Sequence, residues 1–174
     1  MMDLEALIAR AEITDVLYRY ARGIDRRDWD LLRSCYHDDG YDDHGTLKGY
    51  IDEFIAASKP FAERVTATTH FIGNVLIELD GDVARVESYV MANHRIEDAN
   101  RAGKDDTWCI RYVDRFERRQ QEWRIAYRVV AHEWRLVAEV PAGRGRDSYP
   151  RFVGAHDETD PLRWILEAKP PPRD

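Results

Sequence analysis

The sequence predicts an α+β domain in which helices cover one face of a strongly curved antiparallel β-sheet, and three observations carry that prediction. Apolar residues near the start recur at helical spacing, the stretch from Thr66 to Leu136 alternates β-branched and aromatic residues between turn signals, and the helical patterns come first. A chain of 174 residues has the length of one domain and can bury a core with a cavity inside it.

Taken in order, Ile13, Val16, Leu17, Tyr20, Ala21 and Ile24 form one apolar stripe on a helix running from about Leu4 to Gly23. That stripe requires a sheet to cover. Helical patterns follow at Trp29 to Tyr36 and at Lys48 to Arg64, separated by the Gly- and Asp-rich stretch Asp38 to Gly45, which reads as a turn plus a short strand. From Thr66 to Leu136, a turn at Asp80-Gly81, a loop at Glu97 to Lys104 and a turn near Gln120-Gln121 divide the chain into a four-stranded antiparallel meander. Residues 1–140 are therefore assigned to the domain. Residues 141–174 read as a C-terminal extension, loop-like except at Pro161 to Ala168 and disordered at its end, where Pro170-Pro171-Pro172 cannot continue a helix.

Strand register sharpens the picture. Pairing Leu79 with Asp82 across the first turn puts Val75 and Ile77 on one face with Ala84 and Val86, and, continued without a break, sends His70 outward. A bulge at Gly73-Asn74 reverses the phase and turns His70 inward, beside Ala92 and diagonal to His94. The inward sets are then Val86, Ser88, Val90, Ala92, His94 and Ile96 on the second strand, and Trp108, Ile110, Tyr112, Asp114 and Phe116 on the third. Together they line a cup.

Composition excludes several functions. The net charge is -7, and the pairs Arg26-Arg27 and Arg118-Arg119 stand among acids, so no surface is expected to track nucleic acid. No run of apolar residues is long enough to span a membrane, and Met1 to Arg10, with Asp3 and Glu5, does not read as a signal peptide. Two cysteines without CxxC spacing suit a reducing cytoplasm. The histidines lack HExxH spacing, Asp38-Asp39 with Asp42-Asp43 lack the alternation of a calcium loop, and there is neither a nucleophile elbow nor a phosphate loop. No metal or cofactor is expected; the chemistry falls to side chains alone.

Three segments carry a resemblance: Gly23-Ile24-Asp25-Arg26-Arg27-Asp28-Trp29-Asp30-Leu31-Leu32, Thr69-His70-Phe71-Ile72-Gly73 and Asn93-His94-Arg95. From Leu4 to about Leu136 the chain resembles the SnoaL-like and scytalone dehydratase group of the nuclear-transport-factor-2-like (NTF2-like) superfamily. The resemblance implies a cone-shaped fold, a buried pocket and a homo-oligomer, with a trimer favoured and a dimer as the alternative. Asp25, His70 and His94 match that family's catalytic aspartate and histidines. Ile24 and His44 stand where scytalone dehydratase has tyrosines, and Ile110 and Tyr112 where it has a serine and an asparagine, so the resemblance does not carry over to scytalone as the substrate.

An inward histidine beside a carboxylate is what an elimination needs, since a neutral imidazole takes the proton and the carboxylate fixes its tautomer. The expected function is a cofactor-free, dehydratase-type lyase acting on a hydrophobic cyclic or aromatic molecule, with His70 as base, Asp25 as its partner and Tyr20 or His94 as acid. His44, Asn74, Trp108, Tyr112, Phe116 and Arg128 are assigned to substrate binding. Arg128 sits where related lyases place an inward arginine, and an ion pair with Asp114 is its other reading. His37, His132 and His156 read as rim or surface residues. Carbon–carbon cleavage or enone isomerisation would use the same site; a non-catalytic subunit or ligand carrier is the rival from another class. The outer sheet face, with Arg111, Val113, Arg115, Arg124, Tyr127 and Val129, is the expected oligomer contact.

Overall fold

The computed structural model describes residues 3–97, 102–141 and 153–162. Helix α1 spans Leu4–Arg26, opened by the Asp3 carboxylate accepting from the Ala6 N–H at 2.8 Å. Of the expected stripe, Ile13, Val16, Leu17, Tyr20 and Ala21 are buried and Ile24 is partly buried against the core, and Ala9 extends the buried face by one turn. The helix continues through Gly23 because α2 (Trp29–Ser34) crosses it there: a Cβ at Gly23 would lie 2.9 Å from the Leu32 backbone nitrogen. It ends at Arg27, whose φ of 54° is left-handed. The Arg27 guanidinium holds the chain there by donating to the Ala62 and Val65 carbonyls at 2.6 and 2.7 Å, tying α1 to the end of α3 (Ile51–Arg64).

Strand β1 (Tyr36–Asp43) begins earlier than the sequence suggests, and the second helical pattern stops at Ser34. The expected helix from Lys48 also starts later. Lys48–Tyr50 forms strand β2 against β1, with Gly49 opposite Asp42, and the Glu53 carboxylate accepts from the Tyr50 N–H at 3.1 Å so that α3 begins at Ile51. Sheet pairing wins over helix pattern where a glycine weakens the helix.

The meander consists of β3 (Ala67–Asp80), β4 (Val83–Glu97), β5 (Gly103–Arg119) and β6 (Glu122–Val140). The sheet order is β2-β1-β6-β5-β4-β3, with β1 parallel to β6 and all other neighbours antiparallel. Leu79 pairs with Ala84, not with Asp82, because the hairpin closes at Asp80 and Val83 over a two-residue turn with Gly81 at φ 59°. The offset is even, so the faces stay as expected. The bulge is present: the register shifts between Ile72 and Val75, and His70 pairs with Ala92. Val86, Ser88, Val90 and Ala92 are buried, as are Ile110, Tyr112, Asp114 and Phe116. Each fully buried aliphatic side chain in this core contributes about 2 kcal/mol relative to leaving it in water.

Beyond β6, residues 153–162 return to α1. The buried Asp160 carboxylate accepts from the Ala155 and Leu162 N–H groups and pairs with Arg26 at 3.4 Å. Most of the helical pattern at Pro161 to Ala168 and the end of the extension lie outside the described residues.

Candidate active site

Helices α1 and α3 and the concave face of the sheet enclose a cavity of about 540 Å³, room for a bicyclic molecule. Its walls are mostly apolar, with Ile24, Phe54, Phe61, Val65, Ala92 and Ile110 among them. Polar groups enter at a few points.

Asp25, in the last turn of α1, reaches β3. One carboxylate oxygen accepts from the His70 backbone N–H at 2.8 Å and the other from His70 Nδ1 at 2.7 Å, with both side chains largely buried. A carboxylate only accepts, so Nδ1 carries a proton, and in the neutral ring the lone pair is on Nε2. The bulge at Gly73 and Asn74 is what brings this ring to the cavity wall.

His94 stands beside His70, their rings 5.7 Å apart and nearly perpendicular. Burial, and next the neighbouring His70, holds the His94 imidazole down at about 4, so it is neutral at physiological pH, and its buried Nδ1 has no partner among the described residues. Tyr20 and Tyr112 meet edge to face at 5.6 Å. Burial pushes both phenols well above their ordinary range, so both are neutral. Tyr112 and Thr68 line the cavity as well, and their buried hydroxyls have no partner among the described residues. Trp108 lines it too, its ring covered by the Arg135 guanidinium at 4.4 Å and edged by His132, which sits at the rim.

Three of the residues assigned to substrate binding stand elsewhere. Asn74 is exposed at the bulge, where β3 leaves its ladder. Phe116 is fully buried further along β5, packed in the core below the cavity. Arg128 is sealed off: Asp114 grips it bidentately at 2.7 Å, and the Tyr20 and Tyr112 rings lie 4.2 and 3.8 Å from its guanidinium, between it and the cavity. Burial opposes its charge, and the Asp114 carboxylate outweighs that cost, so the guanidinium stays charged. His37 is likewise no surface residue; its Nε2 bonds the Glu117 carbonyl in the interior.

His44 does line the cavity, and it brings a partner the sequence reading missed. Asp42, with no exposed surface, bonds His44 Nδ1 through one oxygen and accepts the Tyr36 hydroxyl through the other. The signal was the spacing of Asp42 and His44, two apart where β1 ends at Asp43, which puts both on one side of the chain.

Residues 5–129 match the family model of the SnoaL-like domain. An uncharacterized protein of Mycobacterium tuberculosis is 29% identical over 134 residues, which cover 74% of this chain and 88% of that protein. Among solved structures, a scytalone dehydratase-like protein from Novosphingobium aromaticivorans superposes with a TM-score of 0.68 at 18% identity, covering 80% of this chain and 93% of that one. A type-3 hexachlorocyclohexane dehydrochlorinase from Novosphingobium barchaimii superposes with a TM-score of 0.70 at 19% identity, covering 79% and 94%. At these identities the likeness establishes the fold. No helix among the described residues is long and apolar enough to cross a membrane.

Proposed function

The chain belongs to the SnoaL-like domain family of the NTF2-like superfamily, and from that premise we propose that it is a cofactor-independent lyase acting on a hydrophobic cyclic or aromatic small molecule. The observation that carries this reading is the grip of Asp25 on both the N–H and the ring of His70, which leaves Nε2 available to a molecule in an apolar cavity. His70 takes a proton from a carbon next to a carbonyl or an aromatic ring, the electron pair forms a double bond, and the leaving group departs. Asp25 stabilises the imidazolium that results. The Tyr112 hydroxyl, which has no partner among the described residues, donates to the oxygen on which negative charge develops. Trp108 and Phe61 offer faces to the substrate rings.

The test is turnover of a panel of aromatic and polycyclic alcohols by wild type and His70→Ala, with products identified. The variant is expected to lose at least about 100-fold in rate. Wild-type turnover by His70→Ala removes the mechanism, and the identified product separates dehydration from carbon–carbon cleavage or isomerisation.

A further inference from the structure

The geometry points to His44, backed by Asp42, as a second acid–base group of the same cavity: the general acid that protonates an oxygen leaving group, which makes the eliminated molecule water. The inference rests on the lyase reading above. Two histidine–carboxylate pairs face this cavity among the described residues, and they approach it from the two flanks of the sheet, His70 from the β3 edge and His44 from the end of β1.

The pairs are built alike. In each, one carboxylate oxygen bonds Nδ1 and the other is taken by a second donor, the His70 N–H for Asp25 and the Tyr36 hydroxyl for Asp42. The ring is thereby fixed and Nε2 is left over. His44 is further held by its N–H donating to the Leu47 carbonyl at 2.9 Å, and its ring stacks on Phe54 at 5.0 Å. A buried aspartate with two donors beneath a cavity-facing imidazole is more than core packing requires, since an apolar pair would fill the same space without desolvating a charge.

The other candidates for the acid are weaker. His94 Nδ1, unlike that of His44, has no carboxylate or other partner among the described residues, and burial makes the Tyr20 and Tyr112 phenols reluctant to give up a proton. A halide leaves without help, whereas hydroxide is a poor leaving group unless it is protonated, so a dedicated acid identifies the class of substrate: a cyclic β-hydroxy carbonyl compound. In the step, His70 Nε2 takes the carbon-bound proton, the carbon–carbon double bond forms, and the carbon–oxygen bond breaks. The oxygen takes the Nε2 proton of the His44 imidazolium and leaves as water. His70 ends as imidazolium and His44 as neutral imidazole, and proton exchange with solvent resets both.

The test compares a β-hydroxy indanone with the matching β-chloro indanone, following indenone formation in wild type, His44→Gln and His70→Ala, with the uncatalysed rate subtracted. His44→Gln is expected to lose more than about 100-fold on the hydroxy compound and less than about 3-fold on the chloro compound, while His70→Ala loses more than about 100-fold on both. His44→Ala, with added imidazole restoring turnover of the hydroxy compound alone, gives a readout that a packing role would not move. Equal losses on the two compounds in His44→Gln, or no loss on either, overturn the role of His44 and leave the lyase reading in place. Full turnover of both by His70→Ala overturns the lyase reading instead, and a wild type that converts neither compound overturns both.

Discussion

Both oxygens of Asp25 are taken by a single residue, and that makes its replacement informative. In Asp25→Asn the amide nitrogen cannot face a second donor, so if the amide oxygen keeps the His70 N–H, the amide nitrogen donates to Nδ1 and moves the ring proton to Nε2, where a base needs a lone pair. The expected loss is on the order of 1,000-fold in kcat with the fold intact, and Asp25→Asn with His70→Ala should be no worse than His70→Ala alone. Additive losses would show that the two act separately. His94 makes a different prediction, about stability. Its folded value of about 4 lies below the 6.5 of an unfolded histidine, so the unfolded chain binds the proton first. Stability is therefore unaffected above about pH 6.5, falls as the pH drops toward 4, and levels off below, by about 3 kcal/mol in total. Denaturation midpoints across this window should be flatter in His94→Gln than in wild type; identical slopes would mean that His94 titrates freely.

At the scale of the elements, β3 bends beside the site at one extra residue. Between Ile72 and Val75 it carries two residues where β4 carries only Tyr89. Deleting Asn74 should leave Gly73 alone opposite Tyr89 and keep His70 opposite Ala92, turned inward toward Asp25. Activity is expected to persist, with far-ultraviolet circular dichroism native-like. Loss of activity in a folded variant would show that the bend of β3 at the bulge, and not the strand pairing alone, sets the contact between His70 and Asp25. Between β5 and β6, the Asp114–Arg128 pair has no exposed side-chain surface, so Asp114→Ala would strand a buried guanidinium. About 3–5 kcal/mol of destabilisation is expected in urea unfolding, whereas Asp114→Leu combined with Arg128→Met should cost much less. If the single and double variants prove equally unstable, the pair acts by shape and not by charge.

For the whole molecule, the convex side of the sheet is the face that bears on assembly. Phe71, Met91, Cys109 and Trp134 pair in one row across four strands, and Phe71 and Trp134 are 67% and 50% exposed. Beside the row, Arg111 is tied to Glu87 and Glu133 at 2.7 Å each. An apolar row with a charged flank is the anatomy of a protein interface, and we propose that further copies of this chain cover it, forming a trimer. Light scattering at micromolar concentration should give the trimer mass, and Trp134→Glu should give the monomer. A monomeric wild type would count against this assembly.

The sequence by itself determined what depends on neighbours along the chain. The stripe from Ile13 to Ile24 dictated a helix with one buried face, the alternation from Val86 to Ile96 dictated which side of β4 meets the core, and Gly73-Asn74 marked the phase change that turns His70 inward. Such signals are periodic, and a period survives without knowledge of the partner. Only the tertiary structure decided that β1 lies parallel to β6, that Lys48–Tyr50 is a strand, and that Asp42 backs His44. It also decided that Tyr20 and Tyr112 seal Arg128 away from the cavity, and that the Tyr112 hydroxyl has no partner among the described residues. Each of these depends on which distant groups share a desolvated space, because a buried charge or hydroxyl is settled by the partners that packing brings to it and not by its place in the chain.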